Sequence, residues 1–117
     1  MPLLEVSKTG LVTTTVPQIL LDIPCGGTPV KGHLNLVNTH AANTIQYQIL
    51  ESNDPAKSAN SWVENTAYTD IAPYVATPSN AKKHTFNPTA RWTRVNVKTK
   101  TGSSHGIANG WFKGCGL

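Results

Sequence analysis

Apolar and polar residues alternate along much of this chain. In 30–38 (VKGHLNLVN), Val30, Leu34 and Leu36 fall on one face, and Lys31, His33 and Asn35 on the other. In 43–51 (NTIQYQILE), Ile45, Tyr47 and Ile49 oppose Thr44, Gln46 and Gln48. In 91–101 (RWTRVNVKTKT), Thr93, Val95 and Val97 oppose Trp92, Arg94, Asn96, Lys98 and Lys100. A period of two places successive side chains on opposite faces, which is the pattern of a half-buried β-strand. No segment sustains the 3.6-residue period of an amphipathic helix. Segment 10–16 (GLVTTTV) has no clean alternation, but its β-branched residues suit a pleated surface.

Turn-forming residues divide these runs. Pro17 interrupts pairing after 10–16, and 18–23 (QILLDI) then stops at Pro24. Segments 24–29 (PCGGTP), 52–61 (SNDPAKSANS), 76–83 (ATPSNAKK), 87–90 (NPTA) and 102–106 (GSSHG) read as turns or loops. Segments 62–65 and 68–75 supply short strands or edges, and 84–86 enters a further strand. The short link 39–43 (THAAN) predicts a hairpin between its flanking strands, and 107–114 is expected to pair with the strand before it. The count is about eight short strands, the pattern of an all-β antiparallel sandwich or jelly roll in one domain. The boundaries are 17–117 for the sandwich, and 1–16 for an extended N-terminal arm or a first strand.

Composition agrees with that class. Charged residues make up 14% of the 117, too few for a typical surface-charged helical protein. The charge is unevenly placed. The first 70 residues hold six acids and three bases, a net −3, whereas the last 47 hold seven bases and no acid, a net +7. Such asymmetry can steer a protein to an anionic partner. Cys25 and Cys115 are too few for a disulfide framework, and two free thiols are the preferred reading over a bridge between the ends of the domain. The N-terminal residues do not form a signal peptide, and no apolar run approaches membrane-spanning length.

The candidate chemistry is sparse. His33, His40, His84 and His105 lie far apart, without metal-ligand spacing, so no metal or cofactor is expected. No nucleophile elbow or phosphate-binding loop occurs, and no catalytic set emerges. Trp92, Arg94, Lys98 and Lys100 share a strand face in the manner of a single-strand nucleic-acid platform, but one aromatic in that row is too few. A saccharide platform is the alternative use of an aromatic, with Trp62 beside Asn60 and Asn65 as its candidates.

The run 47–54 (YQILESND), then 61–65 (SWVEN), then 84–102 (HTFNPTARWTRVNVKTKTG) resembles small β-sandwich domains of tailed-phage virion proteins of the decoration, cement or tail-accessory type. The strand layout is also similar to discoidin-like domains. The resemblance covers roughly 34–112 and implies a non-enzymatic structural protein on the outer capsid surface, made in the bacterial host cytoplasm. Its implied partners are the major capsid protein and copies of itself, with a trimer as the expected oligomer; no membrane or nucleic acid is implied. On this reading Arg91, Arg94, Lys98 and Lys100, with Lys82 and Lys83 beside them, meet an acidic capsid surface, and Leu3, Leu4 and Val6 add a strand to a neighbour's sheet. The alternative is a carbohydrate- or receptor-binding module of a tail or fibre.

Overall fold

The computed structural model describes residues 3–25, 30–86, 90–100 and 105–116. The turns expected at 24–29, 87–90 and 102–106 fall largely outside them, as do the side chains of Leu3 and Cys115. The described chain is an all-β sandwich of two antiparallel sheets with nine strands. Sheet I contains β1 (Leu3–Thr13), β9 (Gly106–Gly116), β3 (Val30–Asn38) and β7 (Ala81–Phe86), in that spatial order. Sheet II contains β2 (Gln18–Pro24), β8 (Trp92–Thr99), β4 (Ile45–Ser52) and β5 (Val63–Glu64), and β6 (Thr69–Ile71) also pairs with β4.

The structure shows which of the two alternating faces of each strand is buried. Ile45, Tyr47 and Ile49 of β4 and Val95 and Val97 of β8 point inward, with Leu21 and Ile23 of β2. Leu34 and Leu36 of β3 and Phe112 of β9 meet them from sheet I, and Leu4, Val6 and Leu11 of β1 pack at the margin. Full burial of each large aliphatic side chain stabilises the fold by roughly 1.5–3 kcal/mol.

The inner face of β9, a central strand, is nearly bare. Gly106, Ala108 and Gly110 are all buried there. A Cβ on Gly106 would collide with Ile45 Cγ2, and one on Gly110 would sit 2.8 Å from Leu20 Cδ2. Large side chains of sheet II therefore fill space that sheet I leaves open. Phe112 is the exception on β9, and its ring lies over Gly32 of the adjacent β3.

Neither expected hairpin forms. β3 lies in sheet I and β4 in sheet II, so 39–44 crosses from one layer to the other. β8 and β9 are likewise in opposite sheets. The crossing after β3 is pinned by Asn38, which is fully buried. Its side-chain amide donates to Asn43 O at 2.8 Å and Ile71 O at 3.1 Å, and its Oδ1 accepts from His40 N at 3.0 Å. His40 Nδ1 then accepts from Asn43 N at 2.9 Å, closing the turn. β7 begins at Ala81, so Lys82 and Lys83 lie in a strand and not in the expected loop.

β1 is an edge strand, paired only with β9. Its register shifts between Lys8 and Leu11, where Gly10 adopts φ +71°. A bulge and an edge lysine both discourage unplanned strand addition. Cys25 is a buried free thiol whose Sγ lies 3.6 Å from Thr93 Oγ1. Burial pushes its pKa up.

Candidate functional site: two unlike outer faces

The alternation that buries Val95 and Val97 turns Trp92, Arg94, Asn96 and Lys98 onto the outer face of sheet II. These cations do not stand free. Arg94 clamps Asp22 of the neighbouring β2 through two bonds, Nε to Oδ1 at 2.7 Å and Nη2 to Oδ2 at 3.0 Å. Its guanidinium also lies over the Trp62 ring, 3.9 Å from the centroid. Lys57 stacks on Trp92 at 4.3 Å and reaches Asp22 at 3.5 Å. Lys98 stacks on Tyr68 at 4.2 Å. Lys100 pairs with Asp70 at 2.6 Å, and Gln46 donates to the other carboxylate oxygen at 2.8 Å. These two bonds hold the Asp70 carboxyl below its ordinary pKa, with the Lys100 bond the larger cause.

The loop after β4 is built to place Lys57. Asp54 accepts from Ala56 N and Ser58 N, a local turn that Asp is suited to make. Lys57 sits in the left-handed region at φ 53°, which turns its side chain back onto the sheet. The result is three cation–aromatic stacks, two of which share the Asp22 carboxylate, with the Lys100–Asp70 pair as a separate tie. The Asp22 cluster is mostly buried, with side-chain exposures of 15% for Arg94 and 20% for Asp22. Asp22→Ala is therefore expected to cost about 2 kcal/mol, because it leaves a half-buried guanidinium without its partner. Denaturant unfolding of the single variants and of Asp22→Ala/Arg94→Ala measures the coupling; a coupling near zero would refute the clamp.

The residues expected to meet a partner are thus divided. Arg94, Lys98 and Lys100 lie together on sheet II and are engaged within the molecule. Arg91 is exposed, and its N and Nε donate to Asn53 Oδ1 and O, at 3.0 and 3.2 Å. Lys82 is half-buried on β7, and its charge adds to the lowering of the Asp70 and His84 pKa values behind larger causes. His84 is hydrogen-bonded to Tyr47 Oη, and burial foremost lowers its pKa. Lys83 points outward on sheet I. Leu4 and Val6 pack against the core of their own chain. Trp62 carries Arg94 on its ring, while Asn60 and Asn65 are exposed nearby in the chain. Trp62 Nε1 and Trp92 Nε1 are buried without a hydrogen-bond partner.

At the end of sheet II a cleft of about 500 Å³ lies between Glu51, Ser52, Asn53, Asp54 and Ser61. Ser52 and Ser61 are joined through their hydroxyls at 2.7 Å, which orders its wall. Among the described residues no three His, Cys, Asp or Glu side chains converge to hold a metal ion.

The outer face of sheet I is different. Ser7, Trp111, Asn35 and Lys83 lie in one register row across β1, β9, β3 and β7. Glu5, Lys113, His33 and Thr85 form the next row. All eight side chains are exposed. The alternation of 30–38 put His33 and Asn35 on one side of their strand. Their alignment depended on which strands pair, which the hairpin expectation got wrong.

No family model matches the chain, and no curated protein matches it. Solved structures do. A chain of the Bacillus endospore appendages, described as disulfide-linked pili, aligns at a TM-score of 0.55 with 9% identity, over 98% of this chain and 88% of that one. A chain in the acid-stable capsid structure of Helicobacter pylori bacteriophage KHP30 aligns at 0.51 with 10% identity, over 99% of this chain and 86% of that one. At such identities the likeness shows the fold alone: a β-sandwich shared, nearly end to end, with small chains of a pilus and of a phage capsid.

Proposed function

We propose that this protein is a non-enzymatic structural component of a virion, a β-sandwich that decorates a phage capsid and bridges neighbouring shell proteins. The observation that carries this reading is the end-to-end match to a capsid chain. It leaves little of either chain over, so the matched chain is itself about the size of this one. A second feature fits the same role. β1 offers an unpaired backbone edge over much of Leu3–Thr13, while its inward side chains Leu4 and Val6 are already committed to the core. Strand addition along that edge would use main-chain hydrogen bonds and leave the core intact. Small symmetric oligomers, a trimer among them, follow from such a repeated contact.

In this role the exposed bases Arg91 and Lys100 face acidic shell surface, and Arg94 and Lys98 stiffen the sheet behind them. The alternative, a saccharide module centred on Trp62 with Asn60 and Asn65, has against it that the Arg94 guanidinium already lies on that ring.

Copy number in purified particles tests the reading. A decoration protein is expected in numbers comparable to the shell protein, whereas a tail or fibre location gives far fewer copies and would sink it. Purified protein is also expected to add to capsids that lack it. Charge reversal of Arg91 and Lys100 together should weaken that addition most at low salt, where the Debye length is longest. Undiminished addition by the folded double variant would remove these residues from the interface.

A further inference from the structure

We infer that the outer face of sheet I binds an acidic saccharide, a polymer carrying carboxylates on its sugar rings, with Trp111 as the stacking platform. The inference rests on the contrast between the two outer faces and is independent of where in a virion the protein sits.

On sheet II every aromatic that carries a cation is covered, and Arg94, Lys57, Lys98 and Lys100 all have partners within the chain. On sheet I, Trp111 is 39% exposed, and among the described residues no cation or ring stacks on it. Lys31, Lys83 and Lys113 are exposed around it, and none forms an ion pair among the described residues. A large aromatic is costly to leave in water, and its apolar face is the surface on which the C–H face of a pyranose packs. It needs hydrogen-bonding groups at the ring's rim to fix the sugar. Ser7 and Asn35 supply them from the two flanking strands, in register with Trp111. Strand spacing places each about 5 Å from it. Between Glu5, Ser7, Asn35, Trp111 and Lys113 the surface forms a hollow of about 290 Å³.

Charge selects the class of saccharide. Lys113 lies two residues along β9 from Trp111, about 7 Å away, and Lys83 lies two strands across, about 10 Å away. The cations are thus set one to two sugar widths from the platform, suited to carboxylates on successive rings. Glu5 is opposite Lys113 in register and forms no ion pair with it among the described residues. That carboxylate can accept a sugar hydroxyl, and it disfavours polyanions that bring no hydroxyl to donate to it. His33 is oriented by Thr85, 3.2 Å from its Nδ1, and adds a second polar contact in the same row.

Alginate, a polyuronate, is the probe. Affinity electrophoresis of the full chain should show retardation in gels containing alginate, and none in gels containing neutral dextran. Trp111→Ala should weaken alginate binding about tenfold or more, and Trp111→Phe by less, since a ring remains. Lys83→Ala/Lys113→Ala should weaken it and flatten its salt dependence. All three are exposed, and an unchanged thermal midpoint confirms folding. Absence of retardation by alginate overturns the proposal. So does equal retardation by polyglutamate or single-stranded DNA that survives Trp111→Ala, which would mean a bare cationic surface.

Discussion

Asn38→Ala is expected to lower the free energy of unfolding by about 3 kcal/mol, far more than one polar residue usually contributes. Asn38 is fully buried, and its side chain makes three hydrogen bonds at the crossing between the sheets. Alanine would remove all three of these bonds, to the carbonyls of Asn43 and Ile71 and from the amide of His40. The main chain is tied there as well: Asn38 N donates to Asn80 O at 2.9 Å, and Asn80 Nδ2 donates back to Asn38 O at 3.3 Å. One residue thus joins the end of β3, the start of β4, the end of β6 and the approach to β7. Asn38→Asp sharpens the test. It keeps the size and the acceptor but replaces the amide donor with a carboxylate aimed at two carbonyls. Its folded-state pKa must rise. Such a group stabilises the native state only when protonated, so the Asp variant should be worse than Ala at neutral pH and recover as pH falls. Chemical denaturation at two pH values measures both effects. A loss below 1 kcal/mol for Asn38→Ala would show that water replaces the amide, and that the crossing is held elsewhere.

The second large effect concerns Phe112 and Gly32. Phe112→Ala should cost about 3–5 kcal/mol, the usual range for deleting a buried phenyl group. Gly32→Ala should also destabilise, by about 1–3 kcal/mol, although alanine is ordinarily tolerated in a strand. The reason is that its new Cβ would fall on the Phe112 ring atoms Cε2 and Cζ. The two effects should not add. In a Phe112→Leu background those ring atoms are gone, and Gly32→Ala should cost at least about 1 kcal/mol less than in the native chain. Additive losses across this cycle would mean that the alanine is resisted by backbone geometry and not by the ring.

The strand interiors were legible in the sequence because burial on one face imposes a period of two. Leu34 and Leu36, Ile45 to Ile49, and Thr93 to Val97 were grouped on common faces on that ground alone, whereas the burial of the Thr93–Val97 face comes from the structure. What a period cannot encode is the partner of a strand. A five-residue link between two alternating runs looks like a hairpin. Here the polar side chain of Asn38 supplies the hydrogen bonds that let the same link turn between layers. The candidate sites share that dependence. The Arg94–Asp22 clamp joins positions 72 residues apart, and Trp111 acquires Ser7 and Asn35 as neighbours only through pairing with β1 and β3. Trp62 and Trp111 are indistinguishable as letters. The cation that covers one ring and leaves the other open comes from a distant strand.

The order of strands in sheet I bears on how the chain must assemble. β9 lies between β1 and β3, so among the described strands the one latest in sequence joins the earliest to the rest. Until it arrives, β1 has no partner on either side, and the inward face of β3 lacks the Phe112 ring. A chain emerging from the ribosome can therefore build little of this sheet in sequence. Its folding waits on the closure of a loop of about ninety residues between β1 and β9, which makes it slow by topology. The exposed edge of β1 is then a hazard in the nascent chain before it is a contact surface in the finished one.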